Sequence, residues 1–284
     1  MTAKRGLNYQ VGRALFVVLI LLIFIYTVFP FLWTILSSFK TEDELIQTPT
    51  TYIPEHPVLD NYLSVFQDPQ FIRGLVNSAV VAGSVVLLSL AIGAFAAYAL
   101  GRLKFLGKRF IMYVVLAMTL FPQISILAGL FAVVRDLGLY GSITSLMLSY
   151  LIFTLPFTAW VLTSFFRSLP GELEQAALVD GATPFQTFYL ILLPLTAPAL
   201  VTTGLLAFIS AWNEYLFALT FTLTQVPAQT VTVAIAQFRG VIARQEPHGE
   251  IMAAAVVVTI PLILLVLYFQ RRIVEGLTAG AVKG

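Results

Sequence analysis

Long apolar runs alternate with short polar ones along the whole chain, and their lengths define the first expectation. The run from Ala14 to Leu36 would measure about 34 Å as a helix, enough to cross a bilayer. It exceeds a signal-peptide core and has no small-residue cleavage site after it, so it is expected to be a retained span. Further spans are expected at about 77–100, 110–134, 142–166, 190–223 and 251–269. The second is rich in Ala, Gly and Ser, and sets Gly93 and Ala97 on one face, a spacing that lets helix backbones approach closely. Phe121-Pro122-Gln123 breaks the third, Pro156 lies in the fourth, and Pro194 and Pro198 stand at the start of the fifth. Between the first two spans, Glu42, Asp43, Glu44, Glu55, Asp60 and Asp68 are interspersed with Pro49, Pro54, Pro57 and Pro69, which reads as a polar loop with turns. A basic segment, 1–13, precedes the membrane region at 14–272, and a small-residue tail, 273–284, follows it.

Composition turns this pattern into a fold class. Hydrophobic residues make up 59% of the chain and charged ones 11%, against about 25% charged in a soluble domain. The expected fold is an all-α integral membrane protein of six transmembrane helices with lipid as its solvent. A net charge of +2 is too small to imply nucleic acid, and the absence of cysteine excludes disulfides and thiolate chemistry. Six spans put both termini on one side. That side carries Lys4, Arg5, Arg13, Arg102, Lys104, Lys108, Arg109, Arg167, Arg271, Arg272 and Lys283, against Lys40, Arg73, Arg135, Arg239 and Arg244 opposite. The bias puts both termini in the cytoplasm.

The segment between the fourth and fifth spans, 167–189, is dense in helix signals. Pro170 suits a first helical turn, and Glu172 and Glu174 put negative charge at the positive end of that helix. Leu173, Ala176, Ala177 and Val179 are expected to form its apolar face, and Gly181 to close it in the left-handed conformation. Thr183-Pro184-Phe185-Gln186 fits a capping box that starts a second helix.

Gln175-Ala176-Ala177, three residues, Gly181, nine residues and Ile191-x-Leu193-Pro194 resemble the EAA loop of bacterial binding-protein-dependent ABC importer permeases. Gln175 stands where that family has glutamate, with Glu174 one place earlier. The DGATPFQTF segment and the tail from Gly276 resemble the sugar-importer branch, most closely its MalG-like permeases. The resemblance implies that Glu172, Glu174, Gln175, Ala176, Ala177, Leu178, Asp180, Gly181 and Pro184 belong to a cytoplasmic coupling helix that docks into an ATPase. It implies a second permease subunit, two cytoplasmic ATP-binding subunits that bind ATP and Mg, an extracytoplasmic solute-binding protein and a sugar substrate. It also implies that the tail, including Thr278, Gly280 and Lys283, reaches the ATPases.

The chain's own chemistry is sparse. No phosphate-binding P-loop is present: around Gly107-Lys108, Arg102 occupies the place of the first glycine, so no cofactor is assigned to this chain. No nucleophile elbow and no metal-ligand spacing around His56 or His248 appear, so the chain reads as a non-catalytic subunit. Asn213 and Glu214 interrupt the fifth span, where an ionisable residue faces a cavity or a polar partner. They either line the translocation path or fix packing. Gln123, beside Pro122, either meets a hydroxylated solute or satisfies a kinked backbone, and the kink is the preferred reading. Rival readings are an ion-coupled carrier using Glu214, an ABC permease for a non-sugar solute, and a membrane scaffold.

Overall fold

The computed structural model describes residues 2–238 and 247–281, with side chains at 9, 12–238 and 247–271. Arg239, Arg244 and Lys283 lie outside the described residues. The described chain is helical: α1 (Thr2–Ser37), α2 (Glu42–Ile46), α3 (Asp60–Gln67), α4 (Pro69–Arg102), α5 (Lys108–Leu120), α6 (Gln123–Asp136) and α7 (Ile143–Ser168) come first. Next are α8 (Glu172–Val179), α9 (Pro184–Gln186), a π-helical stretch (Thr187–Leu192), α10 (Leu193–Leu195), α11 (Ala197–Trp212), α12 (Leu216–Thr222), α13 (Val231–Ala236) and α14 (His248–Ala281). Four unbroken stretches, Gly12–Ser37, Pro69–Arg102, Ile143–Ser168 and His248–Arg271, are long and apolar enough to cross a membrane. Two bent pairs, each counted as one span, bring the number to six.

The bends fall at the break expected at Phe121-Pro122-Gln123 and beside the prolines expected at the start of the fifth span. α5 and α6 meet at 98°. Phe121 is extended there, at φ −73° and ψ 130°, because the ring of Pro122 disfavours helical geometry in the residue before it. Pro122 then stands as the cap of α6. The segments Pro184–Leu195 and Ala197–Trp212 meet at 73° around Thr196, which lies between Pro194 and Pro198. α14 in turn outruns 251–269 at both ends, continuing through Pro261 to Ala281, and takes in backbone where a tail was expected.

Two compact units divide the chain: Met1–Asp68 with Phe238–Thr259, and Pro69–Gln237 with Ile260–Gly284. In the first, the acidic segment after α1 folds around a buried cation rather than remaining a simple loop. Lys40 is buried, donates to the Thr51 carbonyl and lies 4.9 Å from the Trp33 ring centroid. Glu44, also buried, accepts from the Thr51 hydroxyl at 2.9 Å and the Glu55 N–H at 3.0 Å. Asn61 Nδ2 donates to the Ser38 and Lys40 carbonyls, both at 2.9 Å, and Glu42 accepts the Gly249 N–H at 2.7 Å.

The spine of the second unit is the α4–α7 pair. A Cβ on Gly93 would lie 2.6 Å from Thr158 Cγ2, and one on Gly101 3.0 Å from Phe166 Cβ. Ala97, between them, is fully buried, so the small-residue face is the contact face. Thr154 Oγ1 donates to the Tyr150 carbonyl at 3.0 Å, which makes Ser89 the donor in the buried 2.8 Å bond between the two hydroxyls. Nearer α8, the core comprises Ala94, Ala97, Leu162, Phe166, Phe188, Leu192 and Ala199.

Two expectations follow. Gly93→Val should cost about 1–3 kcal/mol through overpacking. Gly83→Ala, with no atom within 4 Å of the added Cβ, should be neutral or stabilising by up to about 1 kcal/mol. Thermal unfolding of the purified transporter checks both. For Glu44, burial pushes the carboxyl up, but the Glu55 N–H, the Thr51 hydroxyl, the Lys40 charge and the His56 N–H outweigh it and hold the group below its ordinary value. A depressed folded value stabilises fully above the unfolded pKa and loses that contribution as pH falls through the folded one. Hydrogen-exchange protection of the Glu55 amide should therefore hold from pH 7 to 5 and fall below about pH 4. Glu44→Gln should remove that pH dependence.

Candidate functional site

α8 is a short helix held by its ends. Glu172 and Glu174 occupy its first turn, as the dipole favours. At its far end Gly181 has φ +81°, and the Ala182 N–H donates to the Ala177 carbonyl at 2.9 Å, closing the helix. The capping box at Thr183 is complete: its N–H donates to Gln186 Oε1 at 2.7 Å, and its hydroxyl accepts the Gln186 N–H at 3.3 Å. Leu173 packs against the core and Ala177 is buried. Ala176 and Val179 are exposed, which corrects the expected apolar face. The apolar side chains that point inward are Leu173 and Ala177, one turn apart.

Of the expected coupling residues, Glu172, Gln175, Ala176, Leu178, Asp180, Gly181 and Pro184 are exposed. Ala177 and Glu174 turn inward. Glu174 pairs with Arg102 at 3.1 Å. The same guanidinium donates to the Leu169 and Pro170 carbonyls, each at 3.0 Å. Arg102 appeared in the sequence only as an orientation signal. Its place one residue after Gly101, at the end of a span, is the feature that could have flagged it.

The fifth span breaks again at 213–215, and Glu214 is the reason the break is tolerable. Its carboxylate accepts the Phe217 N–H at 2.8 Å and the Ala218 N–H at 3.0 Å, capping α12. Its own carbonyl accepts the Thr232 hydroxyl at 2.8 Å, tying in the N-terminal part of α13. Tyr150 is buried on α7 within electrostatic range of Glu214, yet its hydroxyl completes no hydrogen bond among the described residues. Asn213 and Tyr215 beside the cap are exposed. Gln123 is exposed at the first turn of α6, and no hydrogen bond among the described residues links it to Asn213 or Glu214. Sequence reasoning also missed Gln229, which is buried. It donates to Gln237 at 3.0 Å and accepts from Gln70 at 2.8 Å, while Asn77 donates to its carbonyl at 2.8 Å, fastening the loop before α13 to α4. Thr278 and Gly280 fall in α14, where only their backbone is described.

Broken apolar helices around a close-packed pair, with a capped and outward-facing helix between two of the crossings, define a membrane permease. Residues 89–278 match the family described as binding-protein-dependent transport system inner membrane component, and the chain belongs to that family. It is 44% identical to the trehalose transport system permease protein SugB of Mycobacterium tuberculosis, over 91% of this chain and 93% of that one. It is 43% identical to the trehalose/maltose transport system permease protein MalG of Thermococcus litoralis, over 96% and 97% respectively. In fold it is similar to a chain of a bacterial ABC transporter involved in import of the acidic polysaccharide alginate. That match has a TM-score of 0.80 and 21% identity, and covers 92% of this chain and 96% of the other. The chain is thus a non-catalytic permease subunit of an ABC transporter, which displaces the ion-coupled carrier and scaffold readings.

Glu214→Ala should cost roughly 1–2 kcal/mol of stability, the usual worth of an N-cap. Glu214→Gln, which keeps one acceptor oxygen, should recover part of it. Denaturation of the purified transporter measures the order.

Proposed function

We propose that this permease forms, with a second permease subunit, the translocation path for a carbohydrate, an oligosaccharide or related sugar. Two cytoplasmic subunits that bind ATP and Mg drive it, and an extracytoplasmic solute-binding protein delivers the solute. The observation that carries the reading is α8. Its C-terminal end is closed by a left-handed glycine and followed at once by the capped start of α9, while Leu178 and Val179 stand 60% and 87% exposed beside Gln175 and Ala176. A well-fixed helix that leaves large apolar side chains outside is shaped for a protein partner. The distribution of basic residues supports a cytoplasmic placement for α8, both termini and the Arg102–Arg109 connector, in a bacterial inner membrane. Thr278, Gly280 and Lys283 are assigned to contact with the ATPases.

The sugar reading is supported by the relatives, whose names give trehalose, trehalose/maltose, sulfoquinovosyl glycerol and diacetylchitobiose. In the proposed cycle, closure of the ATPases moves α8. The fifth span, which follows α8 in the chain, tilts with it, and the bundle alternates between two arrangements favoured by different nucleotide states. Glu214 contributes by holding the α11–α12 break in one geometry, and Asn213 and Gln123, both exposed, are available to the path.

Leu178→Cys in the complete transporter should form a disulfide cross-link with a cysteine introduced in the ATPase docking cleft, and an exposed position off α8, such as Leu106→Cys, should not. Uptake of a trehalose- or maltose-type disaccharide into proteoliposomes should require ATP and survive a protonophore. A cross-link-negative Leu178 variant, or uptake abolished by the protonophore with ATP present, would refute the reading.

A further inference from the structure

The end of α4 gathers three cations, and two of them have local tasks. Lys108 Nζ donates to the Leu103 carbonyl at 2.9 Å and the Gly101 carbonyl at 3.3 Å. Arg167 donates to the Leu100 carbonyl at 3.3 Å. Together they satisfy carbonyls that a helix leaves open at its C-terminus. Arg102 is thereby free to reach across. One of its terminal nitrogens meets the Leu169 carbonyl, and the other meets both the Pro170 carbonyl and the Glu174 carboxylate. Its side chain is 11% exposed and that of Glu174 28%. A single planar fork therefore joins the end of α4, the turn leaving α7 and the first turn of α8.

Little else holds α8 to the bundle. Its inward side chains are Leu173, partly buried, and Ala177, and the rest of its surface faces out. A partner that pulled on the outer face would act against two small apolar contacts and the connecting chain. We propose that Arg102 is the positioning residue that makes α8 and the α4–α7 pair move as one body, so that displacement of α8 reaches the membrane helices. This rests on the reading of α8 as the ATPase docking helix. Glu174 then serves inside this subunit rather than the partner, and the exposed neighbour Gln175 is the residue presented at the docking face.

The test uses the complete transporter in proteoliposomes, with the Leu178→Cys cross-link to the ATPase as the measure of docking and ATP hydrolysed per disaccharide imported as the measure of coupling. Arg102→Met should leave the cross-link in place and raise that ratio by about fivefold or more, the low end for coupling between two sites. Arg102→Lys keeps the charge but lacks the fork that reaches three acceptors, so it should fall between parent and Met variant. Glu174→Gln should raise the ratio less than Arg102→Met, because the Leu169 and Pro170 bonds remain. An unchanged ratio with the cross-link intact in Arg102→Met overturns the proposal. Should that variant fail to assemble, Glu174→Gln decides: a raised ratio supports the proposal and an unchanged one overturns it. A cross-link missing from the parent with native Arg102 would overturn the docking reading and this proposal with it, whereas a cross-link with an unchanged ratio overturns the proposal alone.

Discussion

The close approach of α4 and α7 is the contact on which the rest of the permease unit depends. Hydrocarbon offers helices no hydrophobic incentive to associate, so they hold together by packing and by hydrogen bonds between them. Gly93 and Gly101 remove the side chains that would keep the backbones apart, and Ser89 and Thr154 add a buried hydroxyl bond between them. The position of Arg102 follows from the same contact. Because Gly101 lies against Phe166, the next residue on α4 comes within reach of the Leu169 and Pro170 carbonyls where α7 ends.

The second constraint is the backbone itself. Within a bilayer each unpaired N–H or C=O is costly, so a helix that breaks must satisfy its freed groups locally. The chain meets this demand differently at each break. At Phe121-Pro122 the proline has no N–H to lose, and the Phe121 N–H still reaches the Met118 carbonyl, at 3.4 Å. Around Thr196 the hydroxyl returns to the Leu193 carbonyl at 2.9 Å. At 213–215 a carboxylate takes two N–H groups at once. An ionisable residue at membrane depth invites a reading as a relay or ligand, but both Glu214 oxygens are engaged in closing a helix end.

What the sequence disclosed and what it withheld follow the range of the interactions. Features set within a few residues were legible: the glycine turn at Gly181, the capping box from Thr183 to Gln186, and the small-residue face of Gly93 and Ala97. The bend at Pro122 was legible as a break but not as a right angle, since the angle depends on what each half packs against. The acidic segment after the first span read as a loop because Asn61 reaches Ser38 and Lys40 across 23 and 21 residues, while Lys40 and Glu44 both converge on Thr51. The face of α8 was misjudged at Ala176 and Val179 because periodicity gives a stripe without saying how wide the surface beneath it is. Arg102 and Glu174 are 72 positions apart in the chain, and nothing local to either one announces the other.

That last pairing bears on how a glutamine can stand at the family's glutamate position. A charged residue there would have two destinations, the subunit's own arginine or a partner. In the proposed reading the two tasks are divided between adjacent residues: Glu174 faces Arg102, and Gln175 faces out. The outward surface is left with an uncharged hydrogen-bonding side chain between apolar neighbours, Ala176, Leu178 and Val179, with Glu172 and Asp180 toward its ends. Such a surface binds chiefly by fitting and excluding water, and less by long-range attraction. A carboxylate already committed to the arginine beneath it makes the helix stiffer toward the bundle without adding charge to the face. Stiffness toward the bundle is what the proposed lever requires, and Glu174, next to the residue the family pattern marks, would supply it.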